Sequence, residues 1–290
     1  MKFLSFILLF TASTTLFAQN ISDNYKIYDV KKQKIIAISD IIADMDKADV
    51  LFFGEDHNDS IGHYLEAEIF KQLYQKYPKK TAASFEMFYT DTQPVIDEYL
   101  AGLISEKNFI KEARVWPNYK DYRPLIEYAK ENKIDVIGGN AATRYSNAVT
   151  KSGLETLKDF PKGSSSFLPP LPIDTALGRY YEKFGESMGG HGTGTMKIYQ
   201  TQNLWDATMA WNIDKYLKAH NGFKILQLNG RFHSDEKLGT LAKLQKYAPK
   251  LRILNISSFS DESFDNPEWE KFKTLGDYII ITDPKVKRSY

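Results

Sequence analysis

The 290-residue chain contains no cysteine, and this absence removes several kinds of chemistry at once. Disulfide bridges, thiolate metal sites, thiol nucleophiles and a lipid-modified cysteine are all excluded, so we expect the protein not to be a lipoprotein. Charge of one sign is not in excess either, because 38 Lys and Arg residues oppose 37 Asp and Glu residues. Nucleic-acid-binding proteins normally carry a basic excess, so we expect no nucleic acid among the partners.

Long hydrophobic runs are also missing, since none reaches the 18 or so residues that predict a membrane-spanning helix. A short apolar run, Phe3–Phe10, follows a lysine at the start of the chain and precedes small residues and Ala18. This order is typical of a secretory signal peptide. We therefore expect residues 1–18 to be removed and residues 19–290 to be exported, to the periplasm or out of the cell.

What is present is the composition of a packed globular protein, with 42% hydrophobic residues, and an alternation of strand-like and helix-like segments. Helix-length segments between strands predict mainly parallel pairing through right-handed crossovers. The fold class predicted is therefore α/β, a mainly parallel sheet with flanking helices. The main strand-like segments are Asp49–Glu55, Thr81–Met87, Asp135–Ala141, Lys224–Gly230, Arg252–Phe259 and Asp277–Thr282.

One segment departs from this alternation. Residues 160–172 are rich in proline and serine, which predicts a loop, and no strand pattern follows before residue 220. Helical patterns cover Asp174–Ser187 and a longer stretch around Trp205. We expect a single domain, 19–290, in which residues 160–220 form a helical insertion or subdomain over the carboxyl edge of the strands.

Polar side chains follow the predicted strands where each one ends. Glu55 and His57 end the first strand, Glu86 lies near the end of the second, and His233 follows a later one. Carboxyl ends of parallel strands meet at one edge of a sheet, so these groups are expected to lie together. Imidazoles and carboxylates bind divalent transition metals, which predicts His57, Glu86 and His233 as metal ligands. The alternative is that each histidine only caps a helix or bonds to a carboxylate.

Three other histidines carry weaker signals. His63 lies six residues after His57, which is off the same helical face unless His57 still belongs to the preceding turn. His191 lies in a glycine-rich loop, where it could act in a lid or as an axial haem ligand, or belong to a disordered connector. His220 ends a predicted helix and is expected to cap it.

Short motifs in a fixed order carry a family resemblance over about residues 45–283. They are Gly54-Glu55-Asp56-His57, Phe85-Glu86-Met87-Phe88, Trp116-Pro117-Asn118-Tyr119, Tyr122-Arg123-Pro124-Leu125, Gly139-Asn140-Ala141 with Arg144-Tyr145, Gln202 with Asp206, and Gly230-Arg231-Phe232-His233. Together they resemble the ChaN-like haem-binding uptake family, which is similar to the Tiki metalloproteases and the erythromycin esterases. The resemblance implies an α/β fold, export and a role in haem-iron acquisition.

Two functions stay open at this point. In the first, the protein binds haem, with Tyr145 or His191 as the iron ligand and Arg144 and Arg231 for the propionates. The resemblance implies tyrosine ligation in the family, sometimes with two haems stacked in a homodimer, and an outer-membrane haem receptor as a partner. In the second, the protein is a metal-dependent hydrolase, esterase-like or protease-like, in which Glu55 acts as general base.

Overall fold

The computed structural model describes residues 21–175, 177–189 and 195–290. The predicted signal peptide and His191 lie outside the described residues. The strands are β1 (Tyr25–Asp29), β2 (Lys34–Ile36), β3 (Val50–Glu55), β4 (Thr81–Tyr89), β5 (Asp135–Asn140), β6 (Lys224–Gly230), β7 (Ile253–Ser260) and β8 (Tyr278–Thr282).

These strands form one sheet in the order β2-β1-β8-β7-β3-β6-β4-β5. Six neighbouring strands, from β8 to β5, pair in parallel, and β1 pairs antiparallel with both β2 and β8. The prediction of an α/β fold with a mainly parallel sheet is confirmed. Because β3 lies in the middle of the parallel part, its carboxyl end has strand ends on both sides.

Helices cover both faces of the sheet. They are α1 (Ile38–Asp44), α2 (Ser60–Lys76), α3 (Gln93–Leu100), α4 (Glu106–Glu112), α5 (Tyr119–Asn132), α6 (Thr143–Ser152), α7 (Arg179–Ser187), α8 (Thr195–Ala219), α9 (Gly239–Tyr247) and α10 (Trp269–Phe272). Side chains of α2 and α5 pack on one face, and side chains of α8 and α9 pack on the other.

Strand β3 shows how the sequence builds this three-layer arrangement. Successive side chains of a strand point to opposite faces, so Leu51 and Phe53 join the core beneath α2, while Val50 and Phe52 join the core beneath α8. All four side chains are fully buried. Replacing either phenylalanine with alanine would cost about 3–5 kcal/mol. The central strand is thus held rigidly from both sides, together with the polar residues that follow it.

Two helices begin later than their sequence patterns predict. The sequence of residues 235–247 predicts a helix from Asp235 to Tyr247, but helix α9 begins at Gly239, because Glu236 and Lys237 have φ angles of 61° and 56° and cannot continue a right-handed helix. The helix predicted from Asp174 begins only at Arg179. Both starts lie near the carboxyl end of β6, because Arg179 Nε donates to Glu236 Oε2 at 2.8 Å.

Residues 160–220 contribute α7 and α8, and the two helices have different positions. Helix α8 packs across a face of the sheet through Ala210 and Ile213. Helix α7 lies at the carboxyl edge, where Lys183 Nζ donates to the carbonyl oxygens of Phe232 and Asp235. Among the residues that the structure describes, no helix is long and apolar enough to cross a lipid bilayer.

Candidate functional site

Three adjacent strands deliver polar groups to one cavity. The order β3-β6-β4 places the end of β3 beside the end of β6, with Glu55 in register with Gly230, and Glu86 on the next strand. The cavity at this edge has a volume of about 450 Å³. Its lining includes His57, Arg231 and His233. The expected meeting of strand-end groups is therefore present in the structure.

His57 and Glu55 form a hydrogen-bonded dyad in this strand-end cavity. The Nδ1 atom of His57 lies 2.8 Å from Glu55 Oε1, which also accepts a 2.6 Å bond from the Tyr122 hydroxyl. The Glu55 side chain is 1% exposed, whereas that of His57 is 35% exposed. The edge of the His57 ring meets Trp116, with ring centroids 5.3 Å apart. Both residues line the cavity, but Glu55 holds the imidazole from its buried side and His57 is the more exposed of the two.

The dyad favours the charged form of the imidazole. Burial by itself would lower the pKa of His57, but the hydrogen bond to Glu55 and the charge of Glu86 outweigh it and raise the pKa above its ordinary value. Burial would likewise raise the pKa of Glu55, yet the hydrogen bonds from His57 and His63 hold that pKa well below its usual range. Glu55 is thus an ionised carboxylate in a buried position.

Behind the dyad lies a second, fully buried set of groups. His63 Nδ1 is 3.2 Å from Glu55 Oε2 and 3.0 Å from Glu66 Oε2, and His63 Nε2–H donates to the His57 carbonyl at 3.0 Å. The exception allowed for His63 applies, because helix α2 starts only at Ser60 and His57 belongs to the turn before it, so the two histidines lie together. His63 therefore fixes the backbone of His57.

The pKa values of His63 and Glu66 are shifted because the two groups are buried close to each other and to Glu55. Burial and the charge of Glu55 raise the pKa of Glu66 well above its ordinary value. Burial lowers the pKa of His63, but the charges of Glu66 and Glu55 and their hydrogen bonds raise it to about 11. A metal ion could be held by three or more His, Asp or Glu side chains that lie close together. In the part of the chain that the structure describes, one such group has all its ligand atoms within 4.8 Å of one another, namely Glu55, His63 and Glu66.

His233 lies on the other side of the strand-end cavity, between two carboxylates. Its Nδ1–H donates to Asp206 Oδ1 at 2.7 Å, and its Nε2 lies 3.4 Å from Glu86 Oε1. Burial lowers the pKa of His233, but the charges of Glu86 and Asp206 raise it to about 10. Asp206 comes from α8 and also accepts a 2.6 Å bond from the Tyr180 hydroxyl of α7. These contacts tie both helices to the site.

Gly230 separates the two halves of the site. A Cβ atom at this position would lie 2.7 Å from His57 Nε2 and 3.6 Å from Glu86 Oε2, so only glycine leaves room for the imidazole. The Gly230 N–H donates to Glu86 Oε2 at 2.7 Å. Of the predicted metal ligands, His57 and Glu86 therefore lie next to this glycine, and His233 lies 3.4 Å from Glu86. A metal held by them would have to replace the proton on His233, because ligating imidazoles are neutral.

The residues predicted for haem lie in different places. Arg231 lines the strand-end cavity, with its Nε donating to Asp235 Oδ2 at 2.9 Å. Tyr145 is completely buried, and its hydroxyl accepts a 2.8 Å bond from Arg144 Nη2. Arg144 also pairs with Asp91. The structure therefore places Arg231 and His57 in the lining of one cavity, whereas the Tyr145 ring is buried and packs against Phe160.

Fold and site together define an α/β protein with a histidine–carboxylate site at the carboxyl ends of its parallel strands. Residues 41–244 match the family model described as haem-binding uptake, Tiki superfamily, ChaN. The chain belongs to this family, and the resemblance seen in the sequence motifs is confirmed. A sequence comparison with curated proteins gave no match.

One solved structure shares the fold, and others have lower similarity. The structure titled as cofacial haem binding to ChaN of Campylobacter jejuni has a TM-score of 0.68 and 18% identity, with 90% of this chain and 97% of that chain covered. The erythromycin esterase EreC has a TM-score of 0.48 and 11% identity, covering 90% and 83%. A Bacillus cereus protein has a TM-score of 0.45 and 16% identity, covering 78% and 70%.

Proposed function

We propose that this protein binds haem and serves in haem-iron uptake. The observation that carries the proposal is the family match over residues 41–244. A fold shared with a ChaN structure over 97% of that chain supports it. Haem needs an axial His, Tyr, Cys or Met for its iron, an apolar slot, and cations for its propionates. The chain has no cysteine, and the family resemblance implies tyrosine among the remaining ligand types.

The strand-end cavity meets part of this requirement. His57 presents Nε2 towards the cavity, and the Arg231 guanidinium lies beside it for an anionic group. Tyr145 remains a proposed ligand only if helix α6 moves, because its hydroxyl is now buried against Arg144. His191 remains a proposed ligand from a position outside the described residues.

Export and partners belong to the same proposal. The mature chain, 19–290, is placed in the periplasm or secreted, which follows from the signal-peptide pattern in residues 1–18. An outer-membrane haem receptor is the expected donor. A homodimer enclosing two haems is the expected loaded form, because the family resemblance implies it.

A titration of residues 19–290 with ferric haem tests the proposal. We expect a Soret band that saturates at a defined ratio of haem to chain, and sedimentation shows whether the loaded species is a dimer. The variants Tyr145→Phe and His191→Ala test the two proposed ligands, since loss of an iron ligand changes the Soret maximum. Absorbance that rises without saturation would contradict haem binding.

A hydrolase is the second candidate, and the dyad of His57 and Glu55 favours it. An imidazole held at Nδ1 by a buried carboxylate and open at Nε2 is the arrangement of a general base. In this proposal His57 Nε2 takes the proton, and Glu55 is the orienting group. In an alternative, metal-bound form, His57, Glu86 and His233 would hold a divalent transition metal that supplies a Lewis acid, and His57 Nε2 would then be a ligand and not the base.

Metal analysis and an ester-hydrolysis assay test this second candidate together. We expect the double variant His57→Ala, His233→Ala to lose any transition metal that co-purifies with the wild-type protein. Retained metal would contradict the metal site, and equal ester hydrolysis by the wild-type protein and His57→Gln would contradict the general base.

A further inference from the structure

Three buried side chains behind the strand-end cavity form a compact group. Glu55 ends β3, and His63 and Glu66 lie one turn apart on α2, so the strand end and the first turns of the helix bring them together. Glu55 is 2% exposed, Glu66 is 0% exposed and His63 is 6% exposed. We call these three residues the buried triad. Neither haem binding nor the hydrolase site gives a role to His63 or Glu66 as a ligand.

The His63 ring turns one nitrogen towards both carboxylates of the triad. A carbonyl oxygen only accepts hydrogen bonds, so the 3.0 Å bond to the His57 carbonyl requires a proton on His63 Nε2. The other nitrogen, Nδ1, is then the one that can bind a cation. It lies 3.0 Å from Glu66 Oε2 and 3.2 Å from Glu55 Oε2. A lone pair and two carboxylate oxygens at these distances repel one another unless a positive charge lies between them.

The surroundings of the triad add negative charge and no lysine or arginine. Asp121 Oδ2 lies 3.9 Å from His63 Nε2, so a third carboxylate is close by. Among the described residues, histidines are the only cationic groups that pair with Glu55, Glu66 or Asp121. Glu66 Oε1 is fully buried and accepts no hydrogen bond from any described residue. Buried carboxylates are normally paired, hydrogen-bonded or bound to a metal, so this oxygen indicates a missing cation.

The spacing within the triad fits a small divalent ion. Carboxylate oxygens and imidazole nitrogens bind Zn²⁺ at about 2.0–2.2 Å, which sets neighbouring ligand atoms about 3.0–3.5 Å apart. The two distances from His63 Nδ1, 3.0 and 3.2 Å, lie in this range. One ligand atom from each of the three residues lies within 4.8 Å of the others. An imidazole among the ligands favours transition ions over Mg²⁺ and Ca²⁺, which prefer oxygen ligands.

Tyr122 holds two members of the triad in place. Its hydroxyl donates to Glu55 Oε1 at 2.6 Å, which leaves Oε2 on the side of His63. The edge of the His63 ring meets the Tyr122 ring, with centroids 5.1 Å apart. Ligating carboxylates and histidines normally have such supporting contacts. Because all three triad residues are buried, the arrangement is that of a closed, structural metal site, which keeps no position open for a substrate.

We propose that Glu55, His63 and Glu66 bind one divalent transition-metal ion as a structural site behind the strand-end cavity. The ion takes the place of the protons that these groups hold without it. It fixes the Glu55 carboxylate, and through that carboxylate the ring of His57. The site is distinct from the metal ligands predicted in the strand-end cavity, and it leaves His57 Nε2 free. The inference goes beyond haem binding and does not depend on it.

Equilibrium dialysis of the chelator-treated protein against Zn²⁺ and, separately, Mn²⁺ tests the buried triad. The proteins compared are the wild type, Glu66→Gln and the matched control Glu68→Gln. Glutamine keeps the shape of Glu66 and removes its charge, whereas Glu68 lies on the same helix and pairs with Lys71 at 3.8 Å. We expect one ion per chain, for at least one of the two metals, in the wild type and the control. Glu66→Gln should bind that ion at least tenfold more weakly.

NMR of the wild-type protein locates the ion without any substitution. Zn²⁺ should shift the ring signals of His63 and leave those of His233 in place, because only His63 belongs to the triad. Shifts at His233 with none at His63 would place the ion in the strand-end cavity and overturn the inference. Absence of one-to-one binding in the wild type, or equal binding by the wild type and Glu66→Gln, would overturn it as well.

Discussion

Substituting Gly230 with alanine tests whether the His57 ring packs directly against this glycine. A Cβ at this position would lie 2.7 Å from His57 Nε2 and 3.0 Å from its Cε1, which is closer than real Cβ atoms approach. In Gly230→Ala the imidazole must therefore turn away, and its 2.8 Å bond to Glu55 breaks. The change acts on the dyad through space alone, because alanine adds no charge and no polar atom.

The magnitude follows from that one bond. A hydrogen bond to a charged group contributes about 1.5–3 kcal/mol, and the lower figure applies because the His57 side chain is about one-third exposed. For a chain of this length, a loss of about 1.5 kcal/mol lowers the melting temperature by about 2–3 °C. The pKa of His57 should fall at the same time, since the hydrogen bond to Glu55 is the largest effect that raises it.

Calorimetry and NMR titration of the His57 ring measure the two effects. Gly163→Ala is the matched control, because a Cβ there would meet nothing within 4 Å. We expect the control to behave as the wild type. An unchanged His57 titration in Gly230→Ala, with an unchanged melting temperature, would refute the packing of His57 against Gly230.

Two further predictions concern stability. The folded-state pKa of His233, about 10, exceeds the ordinary value of about 6.5. Protonated His233 therefore adds to the free energy of unfolding in full below pH 6.5, and this stabilisation is lost as the pH rises through 10. Urea unfolding at pH 6, 8 and 10 should show a shallower loss of stability in His233→Gln than in the wild type, and equal slopes would contradict the assigned pKa. Gln93→Ala removes the hydrogen-bond partners of the Val136 carbonyl and the Gly138 N–H in β5. It should lower the free energy of unfolding by about 1–3 kcal/mol. Gln75→Ala, at an exposed helix position, should lower the free energy of unfolding much less. Equal losses in the two variants would show that Gln93 does not stabilise the β5 edge of the sheet.

The sheet was predictable because its signals are local. The apolar run of β3, bounded by polar residues, predicts a strand buried on both faces, and the structure has it at Val50–Glu55. The meeting of Glu55, Glu86 and His233 followed from one rule, that carboxyl ends of parallel strands share an edge. Helix starts were less predictable where left-handed residues such as Glu236 interrupt the pattern.

The partners behind the site depended on tertiary packing. Asp206 belonged to the motifs that carried the family resemblance, but periodicity could not show that α8 turns it towards His233. The sequence left open whether His63 lies beside His57, because the side of α2 on which His63 lies could not be fixed without the exact start of the helix. The spacing of His63 and Glu66, one helical turn apart, was a signal that could have paired them.

The central claim, that this chain is a specific haem-binding protein, is tested most directly by equilibrium unfolding of residues 19–290 in urea with and without ferric haem. A ligand that binds only the native state at 100 times its Kd stabilises the protein by about 2.7 kcal/mol. We expect the midpoint to rise with haem concentration, and to rise less with iron-free protoporphyrin. A midpoint that stays constant or falls would show that haem adheres to the chain without a native site, and it would contradict the account.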